Sequence, residues 1–303
     1  MWRQVLLAIF VLVAAFGTTL RAQLEPVQGL NALQEVDLSQ LTQRDLNPLS
    51  AKALAIHPAQ WKHAETEHFI YHFTRSYVAT PVSVEAEFCY RVIAKELQRE
   101  QPPGDIKSHI YIFETPEDWA EFQQLGQLEK WTGGIHSRGS LFIERDPRFK
   151  FSGNTLGHEI AHLMLHRFYP EGVPCWINEG FAEYVSRTAR ASFQRARGYI
   201  AKPQSRSIAP SELIPLPRLF ALLSPPSEQV ETFYDQSERV VRFLIATDKP
   251  TFLTLLDALG RRQPFETAFL RIYAGRFASA ALFEERFREY AAKDATTPQA
   301  DNG

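Results

Sequence analysis

The chain has 303 residues, enough for one large domain or two smaller ones, and its 45% hydrophobic and 22% charged content is that of a globular protein able to bury a sizeable core. Lys and Arg number 33 against 35 Asp and Glu, for a formal charge of −2; that excludes a global field recruiting nucleic acid or an anionic membrane. Two cysteines, Cys89 and Cys175, exclude a disulfide scaffold, and their spacing leaves open whether they pair or stay separate buried thiols.

The first element is "MWRQVLLAIFVLVAAFGTTLRA". Arg3 precedes an apolar run from Val5 to Phe16, and small and polar residues follow to Ala22. This is the order of a secretory signal peptide over residues 1–22. The run of about 12 apolar residues is short of the roughly 20 that span a bilayer; an uncleaved N-terminal anchor is the rival reading. Both put the remaining chain outside the cytoplasm, in the periplasm, the medium or the cell envelope.

Residues 23–60 are polar with scattered leucines and read as short helices or a loose leader segment lying on the domain. "EHFIYHFT" (67–74) alternates and is aromatic, so it reads as a strand. Residues 82–100 carry apolar positions at helical steps. "PPGD" (102–105) is a turn and "SHIYIFE" (108–114) a second strand. Over 115–126, Thr115 caps a helix, Pro116 takes its first position and Gly126 ends it. Residues 131–146 form a hairpin around "SRGS". Strand signals fade after 190. Residues 201–229 are mostly loop with one short helix, and 228–248, 250–262, 264–274 and 279–293 read helical. The tail 294–303 has a disordered composition. The expectation is an α/β half at 61–190 followed by an all-helical half at 191–293, with a cleft between them.

Between the hairpin and position 190 lies "HEIAHLMLH" (158–166). Histidines four apart share one helix face, so His158 and His162 can hold one ion. Zinc accepts neutral imidazole at about 2.0–2.1 Å. Glu159 points roughly 100° round the helix, where it reaches a water on the metal rather than the metal itself. His166 continues the stripe, but the three histidines advance roughly 12 Å along the axis, too far for one ion. A histidine six residues beyond the motif is also absent; Phe168 stands there. The downstream helix "WINEGFAEYV" (176–185) offers Glu179, 17 residues after His162, with "YPEGVP" between them as a turn. Two histidines and a glutamate make a catalytic zinc set with one open position. Cys175 is a rival ligand, of a kind more usual in closed structural sites.

"HEIAH" followed by "WINEGFAEY" resembles the gluzincin metallopeptidases, in particular the peptidase-MA-like family with a thermolysin- or aminopeptidase N-type catalytic domain. The resemblance runs from the hairpin to "FYDQSERVVRFL" (233–244). It implies an α+β fold: a small mixed sheet with an edge strand, an active-site helix bearing the H-E-x-x-H motif, then helices. It implies one zinc ion on His158, His162 and Glu179, and Glu159 as general base. Glu183, one turn after Glu179, matches the acid that holds a zinc-bound histidine. Tyr234 matches the tyrosine that donates to the tetrahedral intermediate; all nine histidines lie at or before 166, so none follows the motifs to take that part. "SLFIE" (140–144) looks like the edge strand that binds an extended peptide. The G-x-M-E-N signature of true aminopeptidases is missing, so Glu144 receives no role in recognising a free N-terminus. The implied activity is zinc-dependent hydrolysis of peptide bonds in a peptide or protein substrate. Two alternatives stand beside it: a zinc-binding but catalytically silent assembly module of the cell envelope, and a secreted helical domain without metal.

Overall fold

The computed structural model describes residues 33–99, 106–129, 133–145, 154–199, 208 and 210–296. The signal or anchor segment, the 102–105 turn, residues 201–207 of the loop and the end of the tail lie outside them. The described residues belong to one compact unit, a mixed α/β fold with six strands and ten α-helices. No helix among them is long and apolar enough to cross a membrane.

The sheet consists of β1 (Glu35–Val36), β2 (Lys62–Glu65), β3 (Phe69–Phe73), β4 (Ser108–Phe113), β5 (Gly134–Ser137) and β6 (Ser140–Glu144), in the order β1-β2-β3-β4-β6-β5. β3, β4 and β6 run parallel, and the outer pairs are antiparallel. Every residue of β3 and of β4 is buried, as expected for strands covered on both faces. Tyr111, Phe113 and Phe142 meet α1 (Pro48–Ala55) and α3 (Pro116–Gly126) on one face. Ile110, Ile112, Leu141 and Ile143 meet α2 (Ser76–Leu97) and the later helices on the other.

Three expectations change. "SLFIE" is β6, an interior strand between β4 and β5; the edge is β5, "GIHS". The physical sign is in the residues: Leu141, Phe142 and Ile143 are consecutive and all buried, which fits a strand covered on both faces and not an edge. Of the two readings of the leader, short helices hold over its described residues 33–60 and the loose one does not. β1 extends the sheet, Asn47 caps α1 by accepting the Ser50 N–H at 2.8 Å, and Ala53 and Ile56 enter the second core cluster. Finally, α2 starts at Ser76, six residues before the expected point, with Pro81 inside it. Proline removes one hydrogen bond, that to the carbonyl of Tyr77, which is an exposed residue whose carbonyl water can serve.

The rest agrees closely. Thr115 caps α3 by accepting the Asp118 N–H at 3.1 Å. The hairpin turns at Arg138 and Gly139, both with positive φ (46° and 79°), the pair required by a type I′ turn. The helical part comprises α4 (Thr155–Phe168), α5 (Cys175–Ala196), α6 (Leu216–Ala221), α7 (Val230–Thr247), α8 (Lys249–Gly260), α9 (Phe265–Ile272) and α10 (Ala280–Thr296). α5 runs straight across position 190, and one apolar core extends from Ala64 to Ala291, so the sheet and the helices share their interior. Cys89 and Cys175 are both free thiols.

Candidate metal centre

α4 buries Leu156, Ile160, Leu163 and Met164. That anchors one stripe in the core and turns His158 and His162 toward α5, with Glu159 beside β5. Gly157 lets the two helices close up: a Cβ there would lie 3.3 Å from the Ser186 Cα. α5 then places Glu179 opposite the histidines and Glu183 one turn further on.

The three expected ligands converge. His158 Nε2 and His162 Nε2 are 2.9 Å apart, and each is 3.3 Å from Glu179 Oε2. Ligand atoms at zinc distances on a tetrahedron stand about 3.3 Å from one another. The triangle is therefore the size that a four-coordinate ion needs, and its three residues form a potential metal-holding group. His166 is not in that group; it is exposed, with its ring 5.9 Å from that of His136. Cys175 is not in it either, and its thiol is pushed up to about 11, first by burial and then by the Glu179 charge.

The electrostatics also ask for a cation. Burial works against charge on His158, but hydrogen bonds to Glu179 and Glu183 outweigh it and raise its pKa to about 10. Burial would raise Glu179; hydrogen bonds from His158 and His162 instead hold it well below the usual carboxylate range. Two carboxylates thus create a demand for positive charge at the imidazoles, which a divalent ion bound to neutral histidines satisfies as well as a proton does. His158 Nδ1 lies 3.0 Å from Glu183 Oε1, leaving Nε2 as its free ligand atom. His162 Nδ1 is buried without a hydrogen-bond partner, and Asn178 turns its amide onto Glu179 Oε1 at 3.3 Å. The donor set fits zinc.

Glu159 does not join the triangle. Its carboxyl is buried, and burial raises its pKa against the opposing pull of His158 and His162. It accepts the backbone N–H of His136, so the edge strand β5 holds it in place. A Cβ on Gly134 would lie 3.1 Å from Glu159 Cγ, and glycine is what allows the strand this near. Tyr234, on α7, comes within 6.2 Å of His158, ring to ring. Burial, and then the surrounding acids Glu179 and Glu159, push its phenol well up, so it stays a protonated donor.

α7 approaches because of Gly180, the residue after Glu179. A Cβ there would be 2.4 Å from the Ser237 carbonyl oxygen. A cleft of about 370 Å³ opens beside the triangle, lined by His136, Glu159, His162, His166, Asn178 and Glu179 among others. Tyr234 is outside that lining and meets the centre from the α7 side. His136 and Arg187 are contributors that the sequence reading passed over. Arg187 donates to Glu183 Oε2 at 3.1–3.2 Å, and its signal was present as an i,i+4 acid–base pair on α5. His136 had no such signal, since nothing in "GIHS" tells which hairpin strand faces α4. A second His/Glu group, Glu67, His68 and Glu87, is internally satisfied. Glu87 accepts from His68 Nδ1 at 2.6 Å, from the His68 N–H and from Thr66, while Glu67 is 71% exposed.

No protein-family model matches the chain, and no curated protein matches it either.

Proposed function

We propose that the protein is a zinc-dependent metallopeptidase of gluzincin type, with a thermolysin-like arrangement of sheet and active-site helix. The observation that supports it best is the ligand triangle with 2.9, 3.3 and 3.3 Å edges, flanked by a buried glutamate that is not part of it. A bound zinc ion would supply a water of lowered pKa and an electrophile for a carbonyl oxygen. His158, His162 and Glu179 would hold it, and Glu183 would keep the His158 ring in the tautomer that presents Nε2. Glu159, with its affinity for protons raised by burial, takes the proton from water and delivers it to the leaving amine. Tyr234 donates its phenolic hydrogen to the developing oxyanion. An extended peptide would lie along the outer edge of β5, beside Glu159 and the cleft. That edge gives the chemistry a peptide backbone to act on, so a peptide or protein is the substrate class. An exported location follows from the first 22 residues.

Glu159→Gln is the decisive variant. It should bind one zinc per chain, as measured by elemental analysis, and lose activity by about 10²–10⁴-fold in a peptide-library cleavage assay that a chelator inhibits in the wild type. Cleavage at the wild-type rate would remove Glu159 from the mechanism. A wild type that binds zinc and cleaves nothing would favour the silent cell-envelope module instead.

A further inference from the structure

The contacts of one arginine lead from the metal ligand to the catalytic tyrosine's helix. Arg187 Nε and Nη2 both reach Glu183 Oε2, at 3.2 and 3.1 Å. The other oxygen of that carboxylate is the one 3.0 Å from His158 Nδ1. Arg187 Nη2 also meets Asp235 Oδ1 at 2.8 Å, and Nη1 lies 3.6 Å from Glu238 Oε2. Asp235 directly follows Tyr234, and Glu238 sits one turn on in α7. These groups are well covered: the Arg187 side chain is 22% exposed and that of Glu238 5%.

We propose that Arg187 is a positioning residue that fixes His158, through Glu183, and Tyr234, through Asp235, in one geometry. The proposal rests on the zinc reading. Glu183 can steer His158 only if its own carboxylate is held, and two N–H groups of the planar guanidinium converge on its Oε2 while Oε1 faces His158. The same guanidinium lies between Glu183 and Asp235, which would otherwise face one another across the α5–α7 seam, while Glu238 also has Arg242 at 3.0 Å. The seam is pinned by backbone contact at Gly180, so loss of the cation should displace the Glu183 and Asp235 side of it. A lysine keeps the charge but not the fork, and it cannot hold both helices at fixed angles.

The test uses the full chain with Arg187→Met and Arg187→Lys, and zinc itself as the probe. Zinc affinity is read by competition with a chelating dye. Turnover at saturating zinc is read as kcat and KM on a peptide the wild type cleaves, and folding by circular dichroism. Arg187→Met should weaken zinc binding about 10–100-fold and lower kcat while KM stays nearly constant. Arg187→Lys should restore the fold and only part of the zinc affinity. Should Arg187→Met fail to fold, the lysine variant carries the test, with a zinc affinity at least about fivefold weaker expected. Adding Glu183→Gln to Arg187→Met should weaken zinc little further, because both act on His158 through one chain of contacts. A folded variant with wild-type zinc affinity overturns the proposal even if its melting temperature falls. A wild type that binds no zinc overturns the metal reading itself, and the two failures are told apart by the wild-type titration alone.

Discussion

Two groups of histidines in this protein touch through ring nitrogens at almost the same distance, and they have opposite characters. At the candidate metal centre, His158 and His162 meet at 2.9 Å beneath two carboxylates. Across the sheet, His63 on β2, His72 on β3 and His109 on β4 form a file with contacts of 2.9 and 2.8 Å. His72 is fully buried and stacks on Tyr111 at 4.2 Å. Among the described residues no carboxylate is hydrogen-bonded to these rings; Asp37, Glu65 and Asp45 act only through space. The pKa of His158 is therefore raised, whereas burial, then His109 and His63, push His72 well below the ordinary histidine range. Ring spacing does not make a metal site. What sets the candidate centre apart is carboxylates that repay the burial of a cation.

That contrast can be broken at the carboxylates. Glu179→Gln removes the anion common to both histidines and should abolish tight zinc binding. Zinc at about a thousand times its Kd adds about 4 kcal/mol to the stability of the wild type, and the variant should lose that gain in a thermal melt with and without metal. His72→Phe should keep it whole. An equal zinc-induced rise in both variants would dissolve the distinction between the two clusters. Within the candidate metal centre, Tyr234→Phe should lower kcat by about 10²–10³-fold, the size of one oxyanion donor, with zinc affinity unchanged; a smaller loss would leave Tyr234 as a packing residue. Gly180→Ala should cost about 1–3 kcal/mol in urea unfolding. The added methyl meets the Ser237 carbonyl and has to push α7, and Tyr234 with it. A neutral result would mean that the seam is soft.

The same contrast explains what could be read from sequence. That His158 and His162 share a face and Glu159 does not was legible because helical periodicity fixes directions, and Glu179 was reached through the turn and return helix that follow and the family resemblance. Thr115, Pro116 and the "SRGS" turn were legible because caps and turns are local chemistry. Pairing across the sheet is not local. The consecutive apolar Leu141, Phe142 and Ile143 mark "SLFIE" as covered on both faces, but the edge was assigned from the family resemblance and fell on the wrong strand, and with it went the contact of His136 with Glu159. The file of His63, His72 and His109 escaped for the same reason, because it requires three strands in register. The start of α2 at Ser76 was not legible, because the apolar steps were counted from 82 and Pro81 lies inside the helix.

The smallest expected effect tests the quieter cluster. Burial lowers the pKa of His63 and His109 and holds that of His72 lower still. In the unfolded chain they titrate near about 6.5. Below that pH the unfolded state binds protons that the folded state refuses, so stability falls as pH falls, by up to about 1.4 kcal/mol per pH unit for each histidine. Above about pH 7.5 the three are neutral in both states and contribute no slope. His72→Phe deletes the most strongly depressed member and should flatten the decline below pH 6.5 by about one proton. It should also be less stable than wild type at pH 8, by about 1–3 kcal/mol, because His63 Nδ1 and His109 Nδ1 lose their buried partner. Urea unfolding of both proteins from pH 8 to pH 5, with excess chelator so that the metal centre contributes equally to each, measures the two slopes. If the slopes coincide, His72 titrates in the folded protein much as it does in the unfolded chain, and the file is a hydrated seam rather than a sealed row of neutral imidazoles.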